Sequence, residues 1–266
     1  MNEVGVIILN VIQSYIVDNY EMEHAYQPMW KLDNWQIFGY EALLRLPNTF
    51  QNHNVEQFLD QARQEGHLYE IDSMSILRAI GSFPFDSTNA ELLFINIFPS
   101  TLLNEQFYQL INHILMYYPL AKGKIVFEIN ETKHEEHIWE NHELKEKISF
   151  LRKKNFLIAL DDIGRGAASL QKIIEFSPDV IKLDRYFSKE LSTSKEKQRM
   201  LSLLIEYSNQ ELTLILEGIE KELDLAIAKS LQVPVGQGYL LGRPEKLNDQ
   251  SFLRKSHNVF PLAFHV

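Results

Sequence analysis

The sequence predicts an α/β protein, a (β/α)8 barrel of the TIM type with one antiparallel strand near the N-terminus. From about residue 24 onward, short apolar runs rich in Val, Ile, Leu and Phe alternate with longer amphipathic segments. Connections of this length favour parallel strands. The 266 residues also match the size of a single barrel domain.

Eight apolar runs are predicted to form the strands of the barrel. Only a short polar stretch around Asp33 and Asn34 separates the first two runs, so a hairpin there makes one strand antiparallel. The predicted strands are His24–Leu32, Phe38–Leu46, Leu92–Phe98, Lys124–Asn130, Phe156–Ile163, Val180–Asp184, Leu212–Ile219 and Gln237–Leu241.

Helical spacing fills the segments between these runs, and no low-complexity linker interrupts the chain. We therefore expect a single domain over residues 1–266, with a barrel core at about 20–247. The N-terminal segment and a C-terminal tail, which we predict to contain a helix after Leu247, are expected to pack on that core. The predicted helical segments are Val55–Ile80, Leu102–Tyr118, Glu135–Lys154, Leu170–Phe176, Ser188–Ser208 and Lys221–Leu231.

Composition excludes several classes of function. The chain has no cysteine, so any bound metal must be held by oxygen or histidine. A formal charge of −10 without a basic stripe argues against binding to polymeric DNA or RNA. The apolar run Val4–Leu9 is far shorter than a membrane span and lacks a basic leading region, so we expect a cytoplasmic protein without membrane insertion.

Charged and amide side chains interrupt the apolar strands near their ends. Burying isolated charges is costly, so these groups should be paired or should bind a cation. In a barrel the C-terminal ends of the strands converge on one mouth, where hard oxygen ligands would suit one or two Mg²⁺ or Mn²⁺ ions. The residues concerned are Glu41, Asn96, Glu128, Asp161, Asp162, Lys182 and Glu217.

Simpler explanations exist for each of these residues taken alone. A single strand glutamate is more often exposed or ion-paired than a metal ligand, and Lys182 could pair with Asp184 or Asp162. Most histidines fall in helical or loop segments without a shared face, and we interpret six of them as surface residues. They are His24, His53, His67, His134, His137 and His142.

Six ordered motifs resemble those of the EAL domain family, over about residues 26–244. Tyr26-Gln27-Pro28 followed by Gly39-Tyr40-Glu41-Ala42-Leu43-Leu44-Arg45 resembles the signature that names the family. The others are Glu128-Ile129-Asn130-Glu131 for E-x-T-E, Asp161-Asp162-Ile163-Gly164-Arg165-Gly166 for D-D-F-G-T-G, Lys182-Leu183-Asp184 for K-I-D, Glu217-Gly218-Ile219-Glu220 for E-G-V-E, and Gln237-Gly238-Tyr239 for Q-G-Y.

The resemblance implies a homodimeric enzyme that hydrolyses cyclic di-GMP to linear pGpG with two Mg²⁺ or Mn²⁺ ions. It assigns Glu41, Asn96, Glu128 and Asp161 to one metal, and Asp161 with Asp162 to the second. Glu217 would orient or deprotonate the attacking water, and Lys182 would bind that water or the developing phosphorane charge. Leu43, Arg45 and Gln237 would contact the substrate. Glu131, Gly164 and Gly166 would couple the loop after Asp162 to dimerisation.

Departures from the family pattern leave a second hypothesis open. Phe98 stands where the family has serine, and Ile163, Arg165 and Ala167 replace the phenylalanine, threonine and aromatic residue of the loop. A catalytically weak relative that binds cyclic di-GMP as a receptor, or that acts through a protein partner, is therefore the alternative. A barrel enzyme for another phosphate ester is a third reading, which Arg45 and Gln237 disfavour.

Overall fold

The chain forms a closed barrel of eight strands in sequence order. A computed structural model describes residues 22–46, 54–86, 90–129, 134–164, 169–208 and 212–247. The first strand runs antiparallel to both of its neighbours and all other pairs are parallel, which confirms the predicted fold. The strands are β1 (Glu23–Lys31), β2 (Ile37–Arg45), β3 (Leu92–Ile97), β4 (Ile125–Ile129), β5 (Leu157–Ile163), β6 (Val180–Leu183), β7 (Thr213–Leu216) and β8 (Val235–Gly236).

Helices surround the barrel, and several of the predicted helical segments are divided. The segment predicted over Val55–Ile80 breaks at Gly66, whose φ of 79° is incompatible with a right-handed helix. The α-helices are Val55–Gln64, Leu68–Ser82, Pro99–Leu103, Phe107–Tyr117, His142–Lys153, Ser169–Phe176, Arg185–Ser188, Lys195–Ser208 and Glu222–Ser230, with 3₁₀ turns at Pro119–Ala121 and Glu136–Glu140.

The last strand lies earlier than predicted. The segment Gln237–Leu241, predicted as a strand, is a turn in which the Leu241 and Gly242 amides both donate to the carbonyl of Gly238. This segment is apolar because Leu241 packs against the hydrophobic core from within the turn, and not because the backbone is extended. The N-terminal segment and the predicted terminal helix lie outside the described residues.

The barrel interior contains an apolar layer below the mouth. Its buried side chains are Met29, Phe94, Val126, Ala159, Val180, Ile215 and Val235. Side chains two residues apart on a strand share a face, so the next inward position towards the mouth lies two residues further along each parallel strand. On the antiparallel β1 that position comes two residues before Met29, at Gln27.

A larger apolar layer packs the outside of the barrel against the helices. Within the described part of the chain, none of the helices combines the length and the apolar character that crossing a bilayer requires.

Candidate active site

The ammonium group of Lys182 on β6 is surrounded by four carboxylates at the mouth of the barrel. Lys182 is fully buried, and two of its partners, Glu128 and Glu217, lie 2.9 and 2.8 Å from its Nζ atom. Glu41 and Asp161 lie 3.3 and 3.5 Å from the same atom. These acids come from β2, β4, β5 and the segment after β7, so the barrel brings together residues that are far apart in sequence.

The suggested pairing of Lys182 with Asp184 is wrong. Asp184 instead caps the short helix Arg185–Ser188, because its side chain accepts a hydrogen bond of 2.8 Å from the Tyr186 amide. The four carboxylates that surround Lys182 were not among the two partners, Asp184 and Asp162, that the sequence suggested for this lysine.

A bulge at the end of β5 turns two consecutive acids into the same cleft. The pairing of β5 with β6 shifts register between Leu160 and Ile163. Asp162 adopts a φ of 55°, and its amide donates a 2.9 Å hydrogen bond to Asp161 Oδ1. A regular strand would send these side chains to opposite faces. Here one oxygen from each lies within 4.8 Å of the other and of a Glu217 oxygen.

Burial and mutual repulsion strongly perturb the acids of this cluster. Burial raises the pKa of Glu217 to about 8, although the Lys182 ammonium opposes the shift. Burial likewise raises the pKa of Asp161 to about 6, and raises the pKa of Glu128 well above its usual range. Burial alone would lower the pKa of Lys182, but the surrounding carboxylates outweigh it and raise that pKa. Lys182 is therefore charged at neutral pH.

The side chain of Gln237, just beyond β8, is held against Glu41. Its Nε2 atom donates to Glu41 Oε2 at 2.6 Å and to Gln27 Oε1 at 3.3 Å. Gln27 in turn donates to the carbonyl of Gly242 at 3.0 Å. Gln237 is only 3% exposed. It thus lies behind Glu41, in contact with that carboxylate, and its expected contact with the substrate stays a prediction.

The cleft above the acids has a volume of about 1540 Å³, and Glu41, Asn96, Asp161 and Asp162 line it. Leu43 and Arg45 also line this cleft, at the end of β2. The Arg45 guanidinium is exposed at the rim and donates a 2.9 Å hydrogen bond to the carbonyl of Leu44. Asn96 is paired in register with Glu128 on the neighbouring strand, which places its side chain beside the cluster.

Two residues near the site escaped the sequence prediction because β1 runs in the opposite direction. His24, interpreted as a surface residue, is only 7% exposed and lines the cleft, with its Nε2 atom 3.0 Å from Ser75 Oγ. Gln27 was not assigned any role beyond its motif. In an antiparallel strand it is the beginning, and not the end, that reaches the mouth, so reversing the alternation rule on β1 would have identified Gln27. His24 lies three residues earlier, on the opposite face of the strand, and contacts Ser75 on helix Leu68–Ser82.

The loop after Asp162 begins at Gly164, where only glycine fits. Its φ is 104°, and a Cβ atom there would lie 2.3 Å from the ring of Phe187. Ile163, one of the departures from the family pattern, is buried. Glu131, Arg165, Gly166 and Ala167 lie outside the described residues, and the expected coupling of Glu131, Gly164 and Gly166 to dimerisation stays a prediction.

The donor set fits divalent cations. Among the described residues, the buried Glu128 Oε2 atom has no hydrogen-bond partner. Five clustered carboxylates, those of Asp162 and the four that surround Lys182, also exceed the charge that one ammonium balances. Uncompensated buried charge is costly, and carboxylate and amide oxygens are the ligands that Mg²⁺ and Mn²⁺ prefer.

Comparison with known proteins identifies the family of the chain. The sequence profile of the EAL domain matches residues 11–244. The chain belongs to the EAL domain family. It is 30% identical over 234 residues to the probable cyclic di-GMP phosphodiesterase PdeI of Escherichia coli, a match that covers 84% of this chain and 29% of that protein. It is 28% identical over 249 residues to the cyclic di-GMP phosphodiesterase RocR of Pseudomonas aeruginosa, covering 89% of this chain and 60% of that one.

A solved EAL structure has the same fold. The complex of Klebsiella pneumoniae BlrP1 with manganese and cyclic di-GMP superposes with a TM-score of 0.74 at 22% identity, over 84% of this chain and 56% of that chain. The present chain therefore spans less than two thirds of the length of each of these relatives.

Proposed function

We propose that the chain is a metal-dependent phosphodiesterase that hydrolyses cyclic di-GMP to linear pGpG. The observation that carries this proposal is the buried Lys182 ammonium among four carboxylates at the floor of an open cleft. Two relatives bear the name of cyclic di-GMP phosphodiesterase, one of them as probable, and the solved relative was captured with manganese and that dinucleotide.

Two Mg²⁺ or Mn²⁺ ions would be held by the carboxylate and amide oxygens of the cluster. We assign Glu41, Asn96, Glu128 and Asp161 to one ion, and Asp161 with Asp162 to the other. When bound, such ions lower the pKa of coordinated water and neutralise charge on the phosphate. Gln237 contributes by fixing the orientation of Glu41 through its 2.6 Å hydrogen bond.

Glu217 is proposed as the general base. One of its oxygens lies within 4.8 Å of an oxygen of Asp161 and of one of Asp162, so its carboxylate stands beside the ions that those acids would hold and can accept a proton from a water molecule there. Lys182, 2.8 Å from Glu217, holds that carboxylate in place and supplies positive charge towards the phosphate. Arg45 at the rim is suited to bind a phosphate group of the substrate. Leu43, which lies near it in the cleft, is suited to contact the substrate.

The test is to incubate the purified chain with cyclic di-GMP and Mg²⁺ or Mn²⁺ and to follow pGpG. The matched control is Glu217→Gln, which keeps the size of the side chain and its contact with Lys182 but cannot accept the proton. We expect the wild type to form pGpG and the variant to lose at least about a hundredfold in kcat. A wild type that binds cyclic di-GMP tightly but forms no pGpG would refute the proposed phosphodiesterase activity and support the alternative of a cyclic di-GMP receptor.

We also propose that the chain forms a homodimer. Leu170 and Ile174 on helix Ser169–Phe176 are 59% and 72% exposed, four residues apart on one face. Light scattering should then report a dimer that Ile174→Glu dissociates. Leu223→Glu, a change at an equally exposed leucine on another helix, should leave the dimer intact. A monomeric wild type at micromolar concentration would contradict the proposal.

A further inference from the structure

Phe98 lies at the rim of the cleft, above the candidate metal site. It follows Asn96 by two residues at the end of β3, and Phe94, two residues before Asn96, belongs to the interior layer. Phe94 and Asn96 therefore share the inward side of the strand, and Phe98 is the first residue beyond the strand, where it caps helix Pro99–Leu103. Phe98 is partly exposed and lines the cleft, as Asn96 does.

The guanidinium of Arg63 packs over the Phe98 ring, 5.1 Å from its centroid. Arg63 is itself fixed by Asp60 at 2.6 Å and by the buried Glu135 at 3.3 Å. Arg63 also lines the cleft, so an aromatic ring and a planar cation lie together on one wall. Such a pair presents flat, polarisable surfaces of the kind on which nucleobases stack.

Two buried carboxylates hold the backbone of this wall. Asp72 accepts a 3.1 Å hydrogen bond from the Phe98 amide. Glu135 accepts from the Ser100 amide at 3.0 Å and from its hydroxyl at 2.7 Å. Because the backbone on both sides of Pro99 is anchored, Phe98 is presented in a defined position and little entropy is lost when a ligand packs against it.

We propose that Phe98, with Arg63 beside it, is the stacking surface for a guanine base of the substrate and a determinant of its affinity. The inference rests on the proposed function, since a base joined through its sugar to a phosphate at the carboxylates must lie further out along the cleft. It gives a role to the phenylalanine that replaces the serine expected from the family pattern.

The test measures the Kd for cyclic di-GMP in the presence of Ca²⁺, by titration calorimetry, for the wild type, Phe98→Leu and Phe98→Trp. We expect Phe98→Leu to weaken binding about ten- to a hundredfold, because it keeps apolar bulk but removes the aromatic face. Phe98→Trp should bind at least as tightly as the wild type. Tyr186→Leu is the matched control, because Lys197 lies 4.2 Å from that ring centroid in a similar pair on another helix.

If Phe98 had only a structural role, Phe98→Trp would not bind the dinucleotide more tightly than Phe98→Leu. The affinity for Mn²⁺ should be the same in the wild type and in every variant. Equal dinucleotide affinity for the wild type and Phe98→Leu would overturn the inference, as would a Phe98→Trp variant that binds as weakly as Phe98→Leu. If the wild type binds cyclic di-GMP without forming pGpG, the proposed hydrolysis fails while the pattern of Kd values still decides the stacking role. If the wild type does not bind the dinucleotide, both proposals are refuted.

Discussion

Replacing Lys182 with methionine removes the charge at the centre of the site while keeping most of the side chain's apolar length. Nζ lies 2.8 Å from Glu217 and 2.9 Å from Glu128, and the lysine is fully buried. Removing one partner of a buried ion pair costs about 3–5 kcal/mol, because the remaining charge is left uncompensated. We expect a loss of that size in the free energy of unfolding at pH 8 without divalent cations.

The loss should shrink at lower pH. Burial raises the pKa of Asp161 to about 6 and that of Glu217 to about 8, so the folded variant can take up protons at pH 5 and relieve the repulsion. Urea unfolding followed by circular dichroism, with a chelator present at pH 8 and at pH 5, gives both values.

Lys147→Met is the matched control for Lys182→Met. Lys147 is also buried, but its partner Glu143, 3.3 Å away, is half exposed, so the pair is worth about 1 kcal/mol or less. A Lys182→Met variant that is as stable as the wild type at pH 8, or no less stable than the Lys147→Met control, would refute the view that this ammonium neutralises a buried acidic cluster.

Three further changes test other parts of the structure. Gln237→Ala removes the 2.6 Å hydrogen bond to Glu41 and should raise the Kd for Mn²⁺ about ten- to a hundredfold by calorimetry; an unchanged Kd would show that Glu41 needs no such support. Gly238→Ala places a Cβ atom 2.1 Å from the Ile219 carbonyl oxygen and should cost about 1–3 kcal/mol in urea unfolding, unless the turn relaxes freely. Burial, with a smaller contribution from nearby arginines, lowers the pKa of His24 from 6.5 to about 4. The unfolded chain therefore takes up the proton at a higher pH than the folded chain does. As the pH falls from 6.5 to 4, the free energy of unfolding of the wild type should decrease by about 3 kcal/mol more than that of His24→Gln. Equal decreases in the two proteins would contradict this.

The local sequence pattern was sufficient to predict the order of the strands and helices and to identify most of the acids at the mouth of the barrel. Runs such as Lys124–Asn130 and Val180–Asp184 match β4 and β6 to within one residue at each end, because a strand buried on both sides is apolar throughout. An acid or lysine in such a run departs from its surroundings, which is how Glu128 and Lys182 could be identified. The error at β8 arose because Leu241 is buried from within a turn, where burial does not require an extended backbone.

The sequence by itself determined that this chain forms a barrel with acids at its strand ends, because the alternation of apolar runs with amphipathic helical segments is a local property of the chain. Only the tertiary structure decided which of these side chains meet. The φ of 55° at Asp162 turns two successive acids into one cleft, and the reversed direction of β1 brings His24 and Gln27 to the mouth. The partners of Lys182 come from four other segments of the chain, and such contacts depend on the closure of the barrel, which no local pattern encodes.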